Sequence, residues 1–282
     1  MERFVTATML SSYLYCPRKF FLQQVLKLRE PLNDKLVKGK IRHDVLNEFS
    51  ICEKEILQEM IVKDLHEIEE IYINMYSDLF KKKISEKSDV LNKFNVGINE
   101  FYDLGMFSFT NESKRRAFAV QKMIEKGVSG EELYENIEPR IISEKEIVSK
   151  HYELKGIIDR IEVFNDSFVP VEFKTGKTPR EGVWQGNKVQ IAAYCMLVDD
   201  FFGRKTRKGF VHYLDSDEIR PVVMNPFLKA EIIELRDKIK DILKTGEMPD
   251  FCRDAVNCRK NHVGNFFAEG IPMVNSPTES FK

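Results

Sequence analysis

The sequence predicts an α/β fold, on three observations. Between Leu32 and Glu138 there is no proline, and Ile, Leu and Phe recur at helical spacing among Glu and Lys. After Pro139 the pattern turns to short runs rich in Ile, Val and Phe, separated by turn residues, as in a β-meander. Helix and strand then alternate once more before a long amphipathic helix. The 282 residues suffice for one large domain or two small ones, with a core that needs no disulfide or metal to support it. Apolar residues make up 43% and charged residues 32%, which excludes a disordered or fibrous chain.

Residues 10–30 are expected to be mostly helical, with Ser11 and Ser12 as N-caps and Leu14, Phe20, Phe21 and Val25 on roughly one face. Pro17 divides this stretch, because proline starts a helix more readily than it continues one. Val37, Ile41, Val45 and Phe49, at steps of four, predict a helix over about 36–49. Ile61, Leu65, Ile68, Met75 and Leu79 fit the next helix, and Leu91, Phe94, Ile98 and Phe101 another. A third opens near Asn111 and stops at Gly127, a C-terminal cap. Strands are expected at 141–148, 152–164 and 167–173, the last two joined by an Asn165-Asp166 turn. A helix over 184–198, a strand over 209–213 and a helix over 226–245 ending at Gly246 complete the order.

Lys and Arg number 44 and Asp and Glu 45, a net charge of −1, which neither requires nor excludes a nucleic-acid partner. No apolar run approaches the ~18 to 20 residues of a membrane helix, and the N-terminus lacks a basic flank followed by an apolar stretch. A cytoplasmic protein with no membrane partner is expected. The five cysteines, Cys16, Cys52, Cys195, Cys252 and Cys258, are an odd number in a long chain, which argues against a disulfide framework.

The chemistry concentrates in Gly156-Ile-Ile-Asp159 and Val171-Glu172-Phe173-Lys174. On a strand Glu172 and Lys174 share one face, opposite Val171 and Phe173. Pairing through the Asn165-Asp166 turn brings Asp159 level with Glu172. The two carboxylates are hard oxygen ligands for Mg²⁺ or Mn²⁺, which polarises a phosphodiester and activates water, and Lys174 can orient that water or neutralise developing charge. A surface ion pair on an edge strand would give the same isolated E-x-K. The neighbours distinguish the two: Thr175-Gly176-Lys177 follows, Gln190 and Tyr194 share a helix face, and His43 ends Gly39-x-x-x-His43.

The order H…G-x-x-D…E-x-K-T-G…Q-x-x-x-Y resembles the RecB-like branch of the PD-(D/E)XK nuclease superfamily, over residues 140–214 plus His43. The resemblance implies a restriction-endonuclease-like core, a small mixed sheet flanked by helices. It implies His43, Asp159, Glu172 and the Phe173 backbone carbonyl as metal ligands, Lys174 as the catalytic lysine, and Gln190 and Tyr194 as positioning groups. On this reading one domain spans 1–282: N-terminal helices (1–50), a helical insert (51–139), the catalytic core (140–214), and a C-terminal helix with a cysteine-bearing tail (215–282).

Tyr15-Cys16-Pro17-Arg18-Lys19 resembles the N-terminal cysteine of RecB-like nucleases with an iron–sulfur cluster, and the best-matching family is the CRISPR-associated Cas-four nuclease. Its tail reads C-x2-C-x5-C. Here Cys252 and Cys258 match the last two positions, and the first falls on Pro249, which cannot ligate. With Cys16 they leave the fourth ligand open among Cys195, Cys52 and His262, for a [4Fe–4S] or [2Fe–2S] cluster or, alternatively, zinc. Arg18, Lys19, Lys177, Arg180, Lys188 and the run 204–208, with Trp184 and Phe201-Phe202 nearby, offer phosphate contacts and stacking surfaces. The resemblance implies a metal-dependent exonuclease acting on single-stranded DNA ends in CRISPR spacer acquisition, in partnership with the CRISPR integrase. The alternatives are a repair- or phage-type RecB-like exonuclease and an inactive DNA-binding subunit of the acquisition complex.

Overall fold

A computed structural model describes residues 4–61 and 64–250. Strand β1 (Val5–Thr6) leads into α1 (Ala7–Tyr15), whose N-cap is Thr6: its hydroxyl accepts from the Met9 amide. Ser11 and Ser12 therefore lie inside a helix that starts earlier than expected. Helix α2 (Pro17–Gln24) begins at the proline, and the Cys16 sulfur caps it by accepting from the Lys19 amide. Helix α3 (Asp34–Glu59) contains the expected 36–49 segment but runs on for 26 residues, capped by Asn33.

The insert continues with α4 (Leu65–Glu86), α5 (Ser88–Lys93), α6 (Ile98–Ile124) and α7 (Glu131–Asn136). Two expectations are corrected here. Leu91 and Phe101 belong to different helices, separated by a turn through Phe94–Gly97, and α6 is continuous through Asn111. Gly105, inside α6, lets Phe80 of α4 approach: a Cβ there would stand 2.3 Å from its ring. Ile61 lies outside α4 and is exposed.

The meander follows the sequence closely, as β2 (Arg140–Ser149), β3 (Leu154–Phe164) and β4 (Ser167–Lys174). Helix α8 (Gln185–Phe202) crosses over to β5 (Lys208–Tyr213), which pairs parallel with β4; β6 (Glu218–Val223) pairs antiparallel with β5, and α9 (Pro226–Thr245) closes the order. The sheet is therefore mixed, running β1-β3-β4-β5-β6 with β2 on β3.

Two features of this arrangement build the site. The first is a break along β3. Strand β2 occupies one edge of β3 from Leu154 to Val163, whereas the other edge is shared: β1 takes Leu154 and Lys155, and β4 takes Arg160 to Phe164. Residues 156–159 face the interval between them. The second is the layering. One face packs Ile158, Ile161 and Val211 against α1, α8 and α9. The other packs Val171, Phe173 and Leu214 against the insert through α3, α4 and α6. The helices α3, α4 and α6 are thus a second layer over the sheet. Among the described residues no helix is long and apolar enough to cross a membrane.

Candidate active site

Asp159 lies where β3 and β4 part. The register ends at Arg160 opposite Val171, and the next pair in step would be Asp159 and Glu172. Instead the Asp159 carboxylate accepts the Phe173 amide at 2.8 Å. Because the N–H and C=O of a strand residue point to the same edge, the Phe173 carbonyl also faces this interval. His43 reaches in from α3, its Nδ1 3.6 Å from Asp159 Oδ1, braced edge-on against the Phe173 ring.

Glu172 and Lys174 do share a face, and that face looks onto α8. Lys174 Nζ donates to Glu172 Oε1 at 2.6 Å and to Gln190 Oε1 at 3.1 Å. Gln190 Nε2 lies 2.7 Å from Glu172 Oε1 and 3.0 Å from the Tyr194 hydroxyl, which donates to the Ile157 carbonyl at 2.9 Å. The i, i+4 spacing on α8 thus links the helix to the stretch of β3 between its β1 and β4 pairings. Gly156 is the space this needs: a Cβ there would stand 2.7 Å from Tyr194 Cε1.

The electrostatics separate the two carboxylates. Burial and the neighbouring Asp159 charge push Glu172 up to about 7. Burial also works against ionised Asp159, but His43, the Phe173 amide and Lys174 hold it below the usual carboxylate range. Burial opposes the charge on Lys174, yet Glu172 keeps its pKa raised; likewise Asp159 raises that of His43.

Glu172 is 4% exposed, and its Oε2 is buried without a hydrogen-bond partner. An orphaned carboxylate oxygen beside Asp159, a strand carbonyl and an imidazole is a hard donor set that fits Mg²⁺ or Mn²⁺. Among the described residues no three His, Cys, Asp or Glu side chains converge as a ready-made metal cage. Lys174 and Gln190 share Glu172 Oε1, so its free oxygen, Asp159 and the Phe173 carbonyl are the oxygen donors left, with His43 behind Asp159.

The cysteines fare differently. Cys16 is buried at the start of α2, and Arg18 Nε donates to the Pro249 carbonyl at 2.9 Å, so the N-terminal helices meet the end of the described chain. Cys252, Cys258 and His262 lie outside the described residues. Cys195 is buried on α8 in the larger apolar cluster, a different one from that of Cys16, and burial pushes its thiol pKa up. Cys52 sits partly buried on α3, its thiol pKa raised by burial and by Glu48.

The expected nucleic-acid track also divides. Trp184 precedes α8 in the loop between Lys174 and Gln190, half exposed, with Nε1 donating to the Lys177 carbonyl. Phe202, at the far end of α8, stacks on Phe168 at 3.9 Å, and Arg204 donates to the Asn165 carbonyl. These two fasten the β3–β4 turn. Lys19 is paired with Glu30 at 2.6 Å. Sequence reasoning missed the Ile157 carbonyl, which has no side-chain signal, and the packing of Thr175, named there only within its motif, whose hydroxyl would stand 3.1 Å from a Cβ on Gly39. Gly39, four residues before His43, was the available hint of close packing.

A carboxylate pair and a lysine borne on adjacent strands, ordered by a Gln and a Tyr from the crossover helix, have the arrangement expected of a phosphodiesterase centre of the restriction-endonuclease type. The comparison with known families agrees: the PD-(D/E)XK nuclease superfamily matches residues 5–247, and the chain belongs to it. It is similar to a CRISPR-associated exonuclease Cas4/endonuclease Cas1 fusion of Leptospira interrogans, 24% identical over 140 residues, 46% of this chain and 26% of that protein. It is similar to the CRISPR-associated exonuclease Cas4 of Francisella tularensis subsp. novicida, 30% identical over 121 residues, 43% of this chain and 59% of that one. It is also similar to the mouse DNA replication ATP-dependent helicase/nuclease DNA2, 24% identical over 259 residues, 84% of this chain and 22% of that protein. The chain thus spans between 22% and 59% of the length of these three relatives. The Cas4 likeness read from the motifs is supported by two of them.

Proposed function

We propose that the protein is a metal-dependent DNA exonuclease that trims single-stranded ends during CRISPR spacer acquisition, working beside an integrase. The observation that carries the chemistry is Glu172, with one oxygen held by Lys174 and Gln190 and the other buried and unpartnered. The spacer-acquisition role rests on the Cas4 relatives, one of them fused to an endonuclease Cas1.

Asp159, Glu172, the Phe173 carbonyl and His43 would hold Mg²⁺ or Mn²⁺, which supplies Lewis acidity to the phosphodiester. This chain's side chains do the rest. Lys174 places its ammonium where negative charge develops on the phosphoryl oxygens and can orient the attacking water. Gln190 holds Lys174 and Glu172 in register. Tyr194 fixes Gln190 against β3, so the set is pre-organised before DNA arrives. Cys16, with Cys252, Cys258 and a fourth ligand such as His262, would form an iron–sulfur clip between the chain ends; the Arg18–Pro249 contact beside Cys16 supports that placing. Anaerobically purified protein is then expected to absorb near ~400 nm and carry sulfide; a colourless protein free of iron refutes the clip and leaves the nuclease centre standing.

A second reading has its own support. The DNA2 relative matches more of this chain than either Cas4 protein does, which favours a replication- or repair-type nuclease. The test is cleavage of end-labelled single- and double-stranded DNA with Mn²⁺, Mg²⁺ or chelator. Stepwise loss from free single-stranded ends, abolished by chelator and reduced at least ~100-fold in Lys174→Ala, is expected. DNA binding without cleavage in either metal refutes the enzyme. Trimming of a spacer-precursor duplex only when integrase is present favours the CRISPR role over the repair role.

A further inference from the structure

A cleft of about 450 Å³ opens at Arg42 and Thr175, the chain neighbours of His43 and Lys174. One wall is α3, with Lys35, Lys38 and Arg42; the opposite wall carries Phe94, from the turn after α5, and Leu104 of α6; Gly176 closes the floor. Arg42 is adjacent in sequence to His43, and Thr175, also in the lining, follows Lys174. The α3 wall lies directly on the end of β4, since a Cβ on Gly39 would stand 3.1 Å from Thr175 Oγ1. The cleft and the catalytic centre therefore share a partition.

The charges in it are unevenly engaged. Asp215 accepts from Arg42 and, at 2.7 Å, from the Gly176 amide. Asp34 is paired with Lys38 at 2.8 Å. Arg42 is 2% exposed and keeps Nε buried without a partner. Lys35 is exposed and forms no ion pair among the described residues; Glu100 is the remaining acidic group of the lining. Across from them stand the half-buried Phe94 ring and the exposed Leu104. An apolar ring wall facing an unengaged ammonium is what stacks an unpaired base while drawing in its phosphate. From Lys35 to Arg42 the helix rises roughly 10 Å, enough to flank a single nucleotide.

We propose that this cleft is a nucleotide subsite. It takes the unpaired nucleotide next to the phosphodiester being cut, the base against Phe94 and Leu104 and the phosphate at Lys35. The proposal rests on the nuclease reading and deepens it, giving the unpaired base of the single-stranded substrate a place to stack. It also makes the insert part of the substrate path.

The test uses the full chain and a fluorescent oligodeoxythymidylate of ten residues, with binding read by anisotropy in chelator. Lys35→Ala is expected to weaken binding several-fold and to lower the slope of log affinity against log salt by about 0.7. Phe94→Ala is expected to weaken it roughly tenfold, the effect of losing one stacking ring. Phe94→Leu, which keeps the apolar volume, should fold where the alanine variant does not and still bind weakly. Hydrolysis of bis(p-nitrophenyl) phosphate, which carries no nucleoside, should be unchanged in Lys35→Ala and Phe94→Leu. Oligonucleotide binding within twofold of wild type in both variants overturns the subsite, as does an equal loss on both substrates. A wild-type protein that hydrolyses neither substrate refutes the nuclease reading instead, and the binding measurement still decides the cleft.

Discussion

Two buried polar networks meet in β3, one built on Asp159 and the other on the next residue, Arg160. In the Asp159 network a carboxylate oxygen is left without a partner and Glu172 is pushed up to about 7, chiefly by burial and the Asp159 charge. In the Arg160 network the carboxylates are matched by guanidinium groups. Arg160 holds Glu112 at 2.6 Å, Arg116 holds Glu53 through both carboxylate oxygens at 2.7 Å, and Arg115 grips Asp217 bidentately. Burial works against the Glu112 carboxylate, yet Arg160 and Arg115 hold its pKa well below the ordinary value. Arg160 leaves two of its own nitrogens unpaired but lies over the Phe173 ring, 4.9 Å from its centre. The contrast separates two uses of buried charge. The network whose carboxylates are each held by a guanidinium fastens the helices of residues 34–124 to the sheet; the network with a spare acceptor can bind something further.

The contrast can be broken most forcefully at Arg116. Arg116→Leu leaves Glu53 buried without its counter-charge, the Tyr72 hydroxyl its remaining partner, and is expected to cost about 3–5 kcal/mol, read as a shift in the urea midpoint, whereas Glu172→Gln should leave stability within about 1 kcal/mol while abolishing cleavage. Comparable losses of stability in both variants would erase the distinction. Gly156→Ala tests the spacing: the added methyl must push Tyr194 aside, at about 1–3 kcal/mol, and cleavage should fall before binding does. An alanine variant with wild-type turnover would show that Tyr194 does not position Gln190.

The smallest expected effect is on pH dependence. The pKa values of Glu112 and Asp217 are lowered in the folded state, for Asp217 against burial and through His212 and Arg115. Lowered folded-state values stabilise the protein above the unfolded carboxyl range and lose that contribution as pH falls through it. Melting temperature should therefore drop from about pH 5 toward pH 3, less steeply in Glu112→Gln, as scanning calorimetry can measure. Equal slopes in the two proteins would assign the acid sensitivity elsewhere.

Much of the fold and site could be read from local pattern. Strands β2 to β4 and helix α9 match closely because their hydrophobic period and turn residues are local signals. Glu172 and Lys174 stood out because two charged groups on one face of a strand do not fit an apolar sheet, with Asp159 level with them; His43, Gln190 and Tyr194 stood out through the motif order that resembles the nuclease superfamily. What was missed depends on partners distant in the chain. Strand β1 has two residues, and only parallel pairing with Leu154 and Lys155 makes it a strand. The edge strand β6 carries Pro221 and exposed side chains, so its pattern is weak. The continuity of α6 past Gly105 is set by Phe80, which needs the missing side chain.

The sequence by itself determined that the chain is α/β, where the meander lies, and which side chains are candidates for metal-dependent phosphodiester chemistry, because periodicity and residue type are local properties. Tertiary structure alone decided that one edge of β3 is left unpaired at Gly156–Asp159, that Lys174 and Gln190 share one oxygen of Glu172 and leave the other bare, and that α3, the turn after α5, and α6 wall a cleft next to Thr175. Those facts depend on which distant elements pack together, and packing is set by mutual burial and hydrogen bonding across the whole chain.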